Sequence, residues 1–112
     1  MSFEIITSDY FDTEAKALAK RYKSFKKDLI EFRKELEKAP LQGSEIAPNI
    51  RKIRMAIATK GRGKSGGARI ITYNALVTEQ EGKVYLLLIY DKADASSVKM
   101  NVVKQIVKEL IG

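Results

Sequence analysis

The stretch Asn49–Tyr73, NIRKIRMAIATKGRGKSGGARIITY, contains the features that decide both the fold and the charge of this chain. No Asp or Glu occurs between Glu45 and Glu79. The formal net charge is +7, from 21 Lys and Arg against 14 Asp and Glu, and seven cations in this stretch account for all of it. These cations are Arg51, Lys52, Arg54, Lys60, Arg62, Lys64 and Arg69. Charge focused in one segment is typical of a surface that binds a polyanion.

The first half of the stretch predicts a strand. Ile50–Ala58 alternates, with Ile53 and Met55 on one side and Lys52 and Arg54 on the other. This pattern indicates a half-buried strand that displays two cations on its open face.

A glycine-rich segment and a second strand follow. Thr59–Gly67 contains four glycines in nine residues, so we expect a basic hairpin loop and no regular structure there. Ala68–Val77 is predicted to return as a strand in which Arg69, Ile71 and Tyr73 share one side.

The segment Ala58–Ser65, ATKGRGKS, matches a relaxed phosphate-loop pattern, with Ala in the first glycine position. A phosphate loop must open a helix, because the free N–H groups of that helix hold the phosphates. Here the segment leads into the strand-like run that begins at Ala68, so we do not expect it to bind ATP or GTP.

Upstream of this stretch, the sequence predicts a strand and a helical hairpin. Phe3–Thr7 is compatible with a strand, and Ser8–Asp12 is polar and turn-like. From Thr13 to Lys38, apolar residues recur at steps of three and four. One long helix fits this pattern, but Lys23-Ser24 offers Ser24 as an N-cap, and we favour two helices.

The remaining segments complete an α+β pattern. Ala39–Pro48 is predicted to be a connection and Gln80–Lys83 a turn. Val84–Tyr90 is almost entirely apolar, as expected for a strand covered on both faces. Val98–Ile111 predicts an amphipathic closing helix, with Ser96 or Ser97 as its cap. We therefore expect an N-terminal helical hairpin and a closing helix, packed on one side of a small, mainly antiparallel twisted sheet.

The composition limits the classes of protein and of chemistry. A chain of 112 residues with 45% hydrophobic content fits one domain, residues 1–112. It contains no Cys and no His, which removes thiolate metal sites and the usual general base. We expect no metal or other cofactor, no membrane association and a cytoplasmic location.

Three runs of the chain resemble the RelE/ParE superfamily of bacterial toxins, in particular its HigB-like branch. The first two are KIRMAIATKGRGKSGGARIITY and, after a short turn, VYLLLIYDK. The third, LAKRYKSFKKDLIEFRKELEKAP, is similar to the helical hairpin of the family, with Lys23 where relatives often have proline. The resemblance covers nearly all of the chain after Asp12.

The resemblance implies the toxin of a type II toxin–antitoxin pair. Such a toxin is commonly a ribosome-dependent endoribonuclease that enters the A site, cuts mRNA and is neutralised by a cognate antitoxin protein. The cut is expected to need no metal ion, because the ribose 2′-hydroxyl attacks the adjacent phosphate while cations stabilise the developing charge.

The resemblance also assigns residues. Lys52 and Arg54 match two cations on the second strand of the family, and Arg69 matches the arginine after its glycine turn. Arg69 is expected at the scissile phosphate, and Tyr73 or a lysine of depressed pKa would move the protons. The residues expected to bind RNA are Arg51, Lys60, Arg62, Lys64 and Lys92.

Two positions depart from the family pattern. Ala93 stands where the RelE-like enzymes have an arginine, and Lys99 stands where some have a catalytic tyrosine. The alternatives are therefore a ParE-like toxin acting on DNA gyrase and a non-catalytic RNA- or ribosome-binding member. The nuclease reading predicts that Arg69→Ala relieves growth arrest without destabilising the fold. Both RNA-binding interpretations predict that the logarithm of RNA affinity falls with the logarithm of salt concentration with a slope of roughly −3 to −5, if most of the seven cations meet phosphates.

Overall fold

The computed structural model describes residues 2–78, 80–95 and 97–111. In chain order, the elements are β1 (Ser2–Thr7), α1 (Asp9–Arg21), α2 (Phe25–Lys38), β2 (Ser44–Ala47), β3 (Ile50–Met55), a 3₁₀ turn (Ala58–Lys60), α3 (Gly63–Gly66), β4 (Ala68–Thr78), β5 (Glu81–Asp91) and α4 (Met100–Ile111). The α+β class predicted from the sequence is confirmed.

The five strands form one sheet in the order β1-β5-β4-β3-β2. The pairs β5–β4, β4–β3 and β3–β2 are antiparallel, whereas β1 pairs with β5 in parallel. The prediction of a mainly antiparallel sheet is therefore confirmed. The helical hairpin is the crossover that carries the chain from one edge strand, β1, to the other edge.

The predicted break between two helices is confirmed, since α1 ends at Arg21 and α2 begins at Phe25. Ser24 holds the N-cap position but makes no capping hydrogen bond to its own helix. Its hydroxyl instead donates to Asp28 at 2.7 Å and accepts from the backbone N–H of Thr59 at 3.0 Å. Ser24 therefore ties the hairpin to the segment that follows β3.

The first helix begins earlier than the sequence predicted. Ser8 caps α1 by accepting a hydrogen bond from the backbone N–H of Phe11 at 3.0 Å, while its own hydroxyl donates to Leu87 O at 2.6 Å. Asp9 and Asp12 lie in the first turn, where negative charge is favourable. The prediction of a turn at Ser8–Asp12 was wrong, because these polar residues are helix-starting residues.

Two hydrophobic clusters cover the two faces of the sheet. The hairpin packs on one cluster: Phe11, Leu18, Phe25, Phe32, Leu36, Ile53, Met55, Ile57, Ala68, Ile70, Val84, Leu86 and Ile89. Helix α4 packs on the other: Ile50, Ile71, Leu87, Val103 and Ile106. Ile70 and Ile71 are neighbours in β4 and belong to different clusters, so the clusters lie on opposite faces. The expectation that all helices lie on one side was wrong.

Three connections also differ from the sequence prediction. The connection Ala39–Pro48 contains the edge strand β2, which forms by pairing with β3 and has no apolar pattern of its own. The segment Thr59–Gly67 contains a 3₁₀ turn and the one-turn helix α3 before β4 begins. Helix α4 begins at Met100, so Ser97 does not cap it, and Ser96 lies outside the described residues.

Within the described ranges, no helix has the length and apolar content that crossing a membrane requires.

Candidate functional site

Five cationic side chains meet at one cleft of about 520 Å³, which we call the cationic cleft. Its lining residues are Gln42, Gly43, Ser44, Lys52, Ile53, Arg54, Lys64, Arg69 and Lys92. Among these described lining residues there is no Asp or Glu. Four of the seven cations of the Asn49–Tyr73 stretch are brought together here, and Lys92 joins them from the end of β5.

Strand alternation and register place the cations of the cleft. Lys52 and Arg54 alternate along β3 with Ile53 and Met55, which are buried under the hairpin. Arg54 lies directly opposite Arg69 in the antiparallel pair β3–β4. The cleft is therefore on the face of the sheet that also carries α4.

Arg69 is buried, with only 5% of its surface exposed. Its guanidinium donates three hydrogen bonds to backbone carbonyls: Nη1 to Lys64 O and Ala68 O, both at 3.2 Å, and Nη2 to Ser65 O at 2.9 Å. It thus closes the C-terminal end of α3 while it lines the cleft. Its charge is fixed in place, as a pre-organised anion site requires.

The loop that carries Lys64 is held against the hairpin and the sheet. The backbone N–H groups of Ala58 and Thr59 donate at 3.0 Å to the side chains of Asp28 and Ser24, respectively. At the other end, Gly67 approaches β3 so closely that a Cβ on it would lie 2.0 Å from Met55 O. Glycine is therefore required at position 67 by space.

Lys64 lies at the border between the cleft and α2. Its ammonium group is 3.7 Å from a carboxylate oxygen of Glu35, and both side chains are more than half exposed. An exposed pair at this distance contributes little to stability. Lys64 is therefore able to exchange Glu35 for an anion in the cleft at small cost.

Lys60 points away from the cleft. Its side chain is 11% exposed, and its ammonium group is 2.5 Å from Oδ1 of Asp91, which is fully buried. The same ammonium group lies 5.4 Å from the ring centroid of Tyr22. The structure therefore does not bring Lys60 to the RNA-binding position that the sequence predicted, because its ammonium group forms an ion pair with a buried carboxylate.

Asp91 stays ionised despite its burial. Burial by itself raises the pKa of a carboxyl group, but here hydrogen bonds from Lys60, from the Tyr22 hydroxyl and from the backbone N–H of Ala93 outweigh it. The pKa of Asp91 is therefore held well below its ordinary value. Arg21 completes the set, with Nη1 3.1 Å from Asp91 and 2.8 Å from Asp94.

Besides Lys60, three more of the predicted residues lie outside the cleft. Tyr73 and Arg51 line a different cavity of about 470 Å³. Tyr73 packs in the second cluster with its ring centroid 6.3 Å from that of Tyr85, and Arg51 donates to Gly43 O at 3.3 Å. Arg62 is exposed on the loop and is not among the lining residues of the cleft.

The structure also shows where Ala93 and Lys99 lie, the two residues that depart from the pattern of the RelE-like enzymes. The backbone N–H of Ala93 donates to Asp91 Oδ1 at 2.9 Å, and Lys99 is exposed immediately before α4. Neither residue is among those that line the cationic cleft.

The sequence did not indicate one wall of the cleft, formed by Gln42, Gly43 and Ser44. These residues lie in the connection that leads into β2, and Gly43 has a positive φ of 86° with Lys52 O 2.5 Å from the place of a Cβ. The glycine itself was the available signal, since it permits this conformation and approach. The wall adds uncharged hydrogen-bonding groups beside the cations.

Comparison of the sequence with models of known protein families finds no match. In the part of the chain that the structure describes, no three Asp and Glu side chains are grouped so that they could hold a metal ion.

Proposed function

We propose that this chain is a toxin of a type II toxin–antitoxin pair that binds mRNA on the ribosome and cleaves it without a metal ion. The proposal is based on the cationic cleft, which has five cations and no acidic side chain among its described lining residues. A ribose-phosphate backbone has the charge and spacing to engage several cations at once.

The cleft is suited to a phosphate that gains charge during the reaction. Attack of the ribose 2′-hydroxyl on the adjacent phosphate adds negative charge to the non-bridging oxygens. In this proposal Arg54 and Arg69, which lie directly opposite each other, bind these oxygens, because hydrogen bonds from guanidinium groups to phosphate are strong. Their contribution is electrostatic stabilisation of the transition state.

In this proposal the protons are moved by a lysine, which is the alternative to Tyr73 that the sequence analysis left open. The attacking hydroxyl must lose a proton and the departing 5′-oxygen must gain one. Lys52, Lys64 and Lys92 are the residues of the cleft whose side chains can exchange protons. Among these three lysines, Lys52 lies beside Arg54 on the same face of β3. We therefore assign proton transfer to Lys52.

The partner in this proposal is a cognate antitoxin protein, and an apolar groove between α1 and α2 supports it. The groove measures about 610 Å³ and is lined by apolar side chains that include Phe11, Ala15, Leu29 and the exposed Ile30. Three cations, Lys16, Lys26 and Arg33, and one acid, Asp12, also line it. An amphipathic segment with acidic flanks complements such a groove.

One experiment tests the proposed activity. The chain is expressed in a growth-arrest assay, and new 5′ ends are mapped on mRNAs with and without engaged ribosomes. We expect arrest and new 5′ ends on translated mRNA for the wild type and for Arg62→Gln, and neither for Arg54→Gln. Arrest of equal strength in all three, or DNA damage with intact mRNA, would contradict the proposal.

The structure also favours a second candidate, an RNA- or ribosome-binding protein that does not cleave. The observation in its favour is that Tyr73, one of the two kinds of proton carrier that the sequence suggested, lies outside the cleft. Binding to ribosomes that requires Arg54 but leaves every transcript intact would select this candidate.

A further inference from the structure

The carboxylate of Asp91 joins three separate parts of the chain beneath the cationic cleft. It accepts hydrogen bonds from Lys60 Nζ at 2.5 Å, from Arg21 Nη1 at 3.1 Å, from the Tyr22 hydroxyl and from the backbone N–H of Ala93 at 2.9 Å. These donors belong to the end of α1, to the 3₁₀ turn after β3 and to the turn after β5. Its side chain is fully buried.

Asp91 is adjacent to the cleft but faces away from it. The preceding residue, Tyr90, packs in the α4-side cluster, so Asp91 points to the hairpin face. The next residue, Lys92, lines the cleft, and its backbone N–H donates to Gly67 O at 3.0 Å. In the sheet, Asp91 pairs with Ala68, the neighbour of Arg69.

The ion pair with Lys60 fixes the other side of the same loop. Lys60 ends the 3₁₀ turn that follows β3, and the segment from Lys60 to Gly67 includes Lys64 of the cleft. One end of this segment is held by Asp91 through Lys60, and the other end is held by Lys92 and Arg69. The Asp91–Lys60 pair is therefore one of the contacts that hold the loop of Lys64, together with those of Ala58 and Thr59 to the hairpin.

We propose that Asp91 is a positioning residue for RNA binding, which through Lys60 holds Lys64 and Lys92 at the cleft from the opposite face of the sheet. This inference rests on the proposed function. Asp91 does not contact the RNA. Its negative charge does not cancel the cations of the cleft, because Lys60 and Arg21 compensate it on the hairpin side.

A double variant that leaves the net charge unchanged separates the effect of positioning the cleft lysines from the effect of net charge on RNA affinity. Lys60→Met with Asp91→Asn removes one cation and one anion, so the net charge stays at +7. The matched control, Lys34→Met with Glu31→Gln, removes an exposed pair that lies 3.6 Å apart on α2. The affinity for a fluorescent single-stranded RNA oligonucleotide is measured at a temperature at which circular dichroism shows each protein folded.

We expect the Lys60→Met/Asp91→Asn protein to bind about tenfold more weakly, the equivalent of one lost charge-assisted hydrogen bond, and the control to bind like the wild type. A role in stability alone lowers the unfolding temperature but leaves the affinity of the folded protein unchanged. Wild-type affinity in the folded double variant therefore overturns the proposal. If the double variant does not fold, Tyr22→Phe removes a single donor to Asp91, with a smaller loss of affinity expected and wild-type affinity overturning the proposal.

Amide hydrogen exchange separates this inference from the proposed function. We expect faster exchange of the Lys92 and Gly61 amides in the double variant, or in Tyr22→Phe if the double variant does not fold, whether or not RNA is bound. If the wild type fails to bind RNA, the proposed function fails, while faster exchange still supports the holding role of Asp91. Unchanged exchange at both amides overturns the holding role.

Discussion

Arg54 and Arg69 lie directly opposite each other on adjacent antiparallel strands. Two like charges in this arrangement destabilise a sheet unless an anion lies between them or solvent screens them. The structure keeps both, one exposed and one buried, at the wall of a cleft with three further cations. A local conflict of this kind is typical of a binding site.

The first prediction concerns Arg54. Arg54→Gln removes the like-charge contact, so we expect the free energy of unfolding to stay equal or rise by about 0.2–1 kcal/mol. The same change removes a phosphate contact, and RNA affinity is expected to fall about tenfold. Denaturant unfolding and fluorescence anisotropy measure the two effects.

Arg62→Gln is the matched control, because it removes the same charge from an exposed site outside the cleft. We expect it to change RNA affinity much less than Arg54→Gln does. Equal losses in the two variants would show that net charge, and not the cleft, determines binding.

The second prediction concerns Arg69. Arg69→Lys keeps the charge, but an ammonium group cannot make the three carbonyl contacts of the guanidinium. We expect a loss of about 2 kcal/mol in the free energy of unfolding for Arg69→Lys, and a larger loss for Arg69→Ala. This expectation differs from the one drawn from the sequence, in which Arg69→Ala leaves the fold intact. An unchanged denaturation midpoint in Arg69→Ala would contradict the loss of stability expected here.

The third prediction concerns acid stability. Because the pKa of Asp91 is lowered in the folded state, the unfolded chain binds this proton more readily, and the stabilisation is present above the unfolded pKa of about 3.9. It is lost progressively as the pH falls below that value. Unfolding measured from pH 7 to pH 2 is expected to show this loss.

Asp91→Asn should remove that part of the acid dependence and lower the stability at pH 7 by about 3 kcal/mol, since it leaves Lys60 buried without its partner. Asp94→Asn is the control, because Asp94 binds the same Arg21 but is 58% exposed. A wild-type acid profile in Asp91→Asn would contradict the account of this pair.

The fourth prediction concerns Tyr73. Because Tyr73 packs beside Tyr85 and not at the cleft, we expect Tyr73→Phe to retain RNA binding and any RNA cleavage. Lys52→Met is the comparison, and it is expected to abolish cleavage. Loss of cleavage in Tyr73→Phe would restore the role that the sequence suggested for its hydroxyl.

Local sequence patterns predicted much of the fold. The apolar run in β5 and the three- and four-residue spacing in α2 and α4 predicted these elements, because burial imposes those periods on a sequence. The alternation in β3 correctly placed Lys52 and Arg54 on one face. Ser8 is a local signal for the start of α1, although the polar run Ser8–Asp12 also fits a turn.

The remaining differences depend on contacts between distant residues. Lys60 is 31 residues from Asp91 in the chain, so nothing near Lys60 indicated that it turns inward. Strand β2 exists because β3 offers it a backbone partner, and its own residues are mostly exposed. The side of the sheet on which α4 packs was equally undetermined, because β4 and β5 are apolar on both faces.

The fifth prediction concerns the salt dependence of binding to single-stranded RNA, which measures how many cations of the cleft meet phosphates. Five cations at the cleft, fewer than the seven counted in the sequence, predict a log–log slope between about −2 and −3.5, at about −0.7 for each phosphate neutralised. The slope for Arg54→Gln should be shallower by about 0.7. An affinity that does not change with salt concentration would contradict the account.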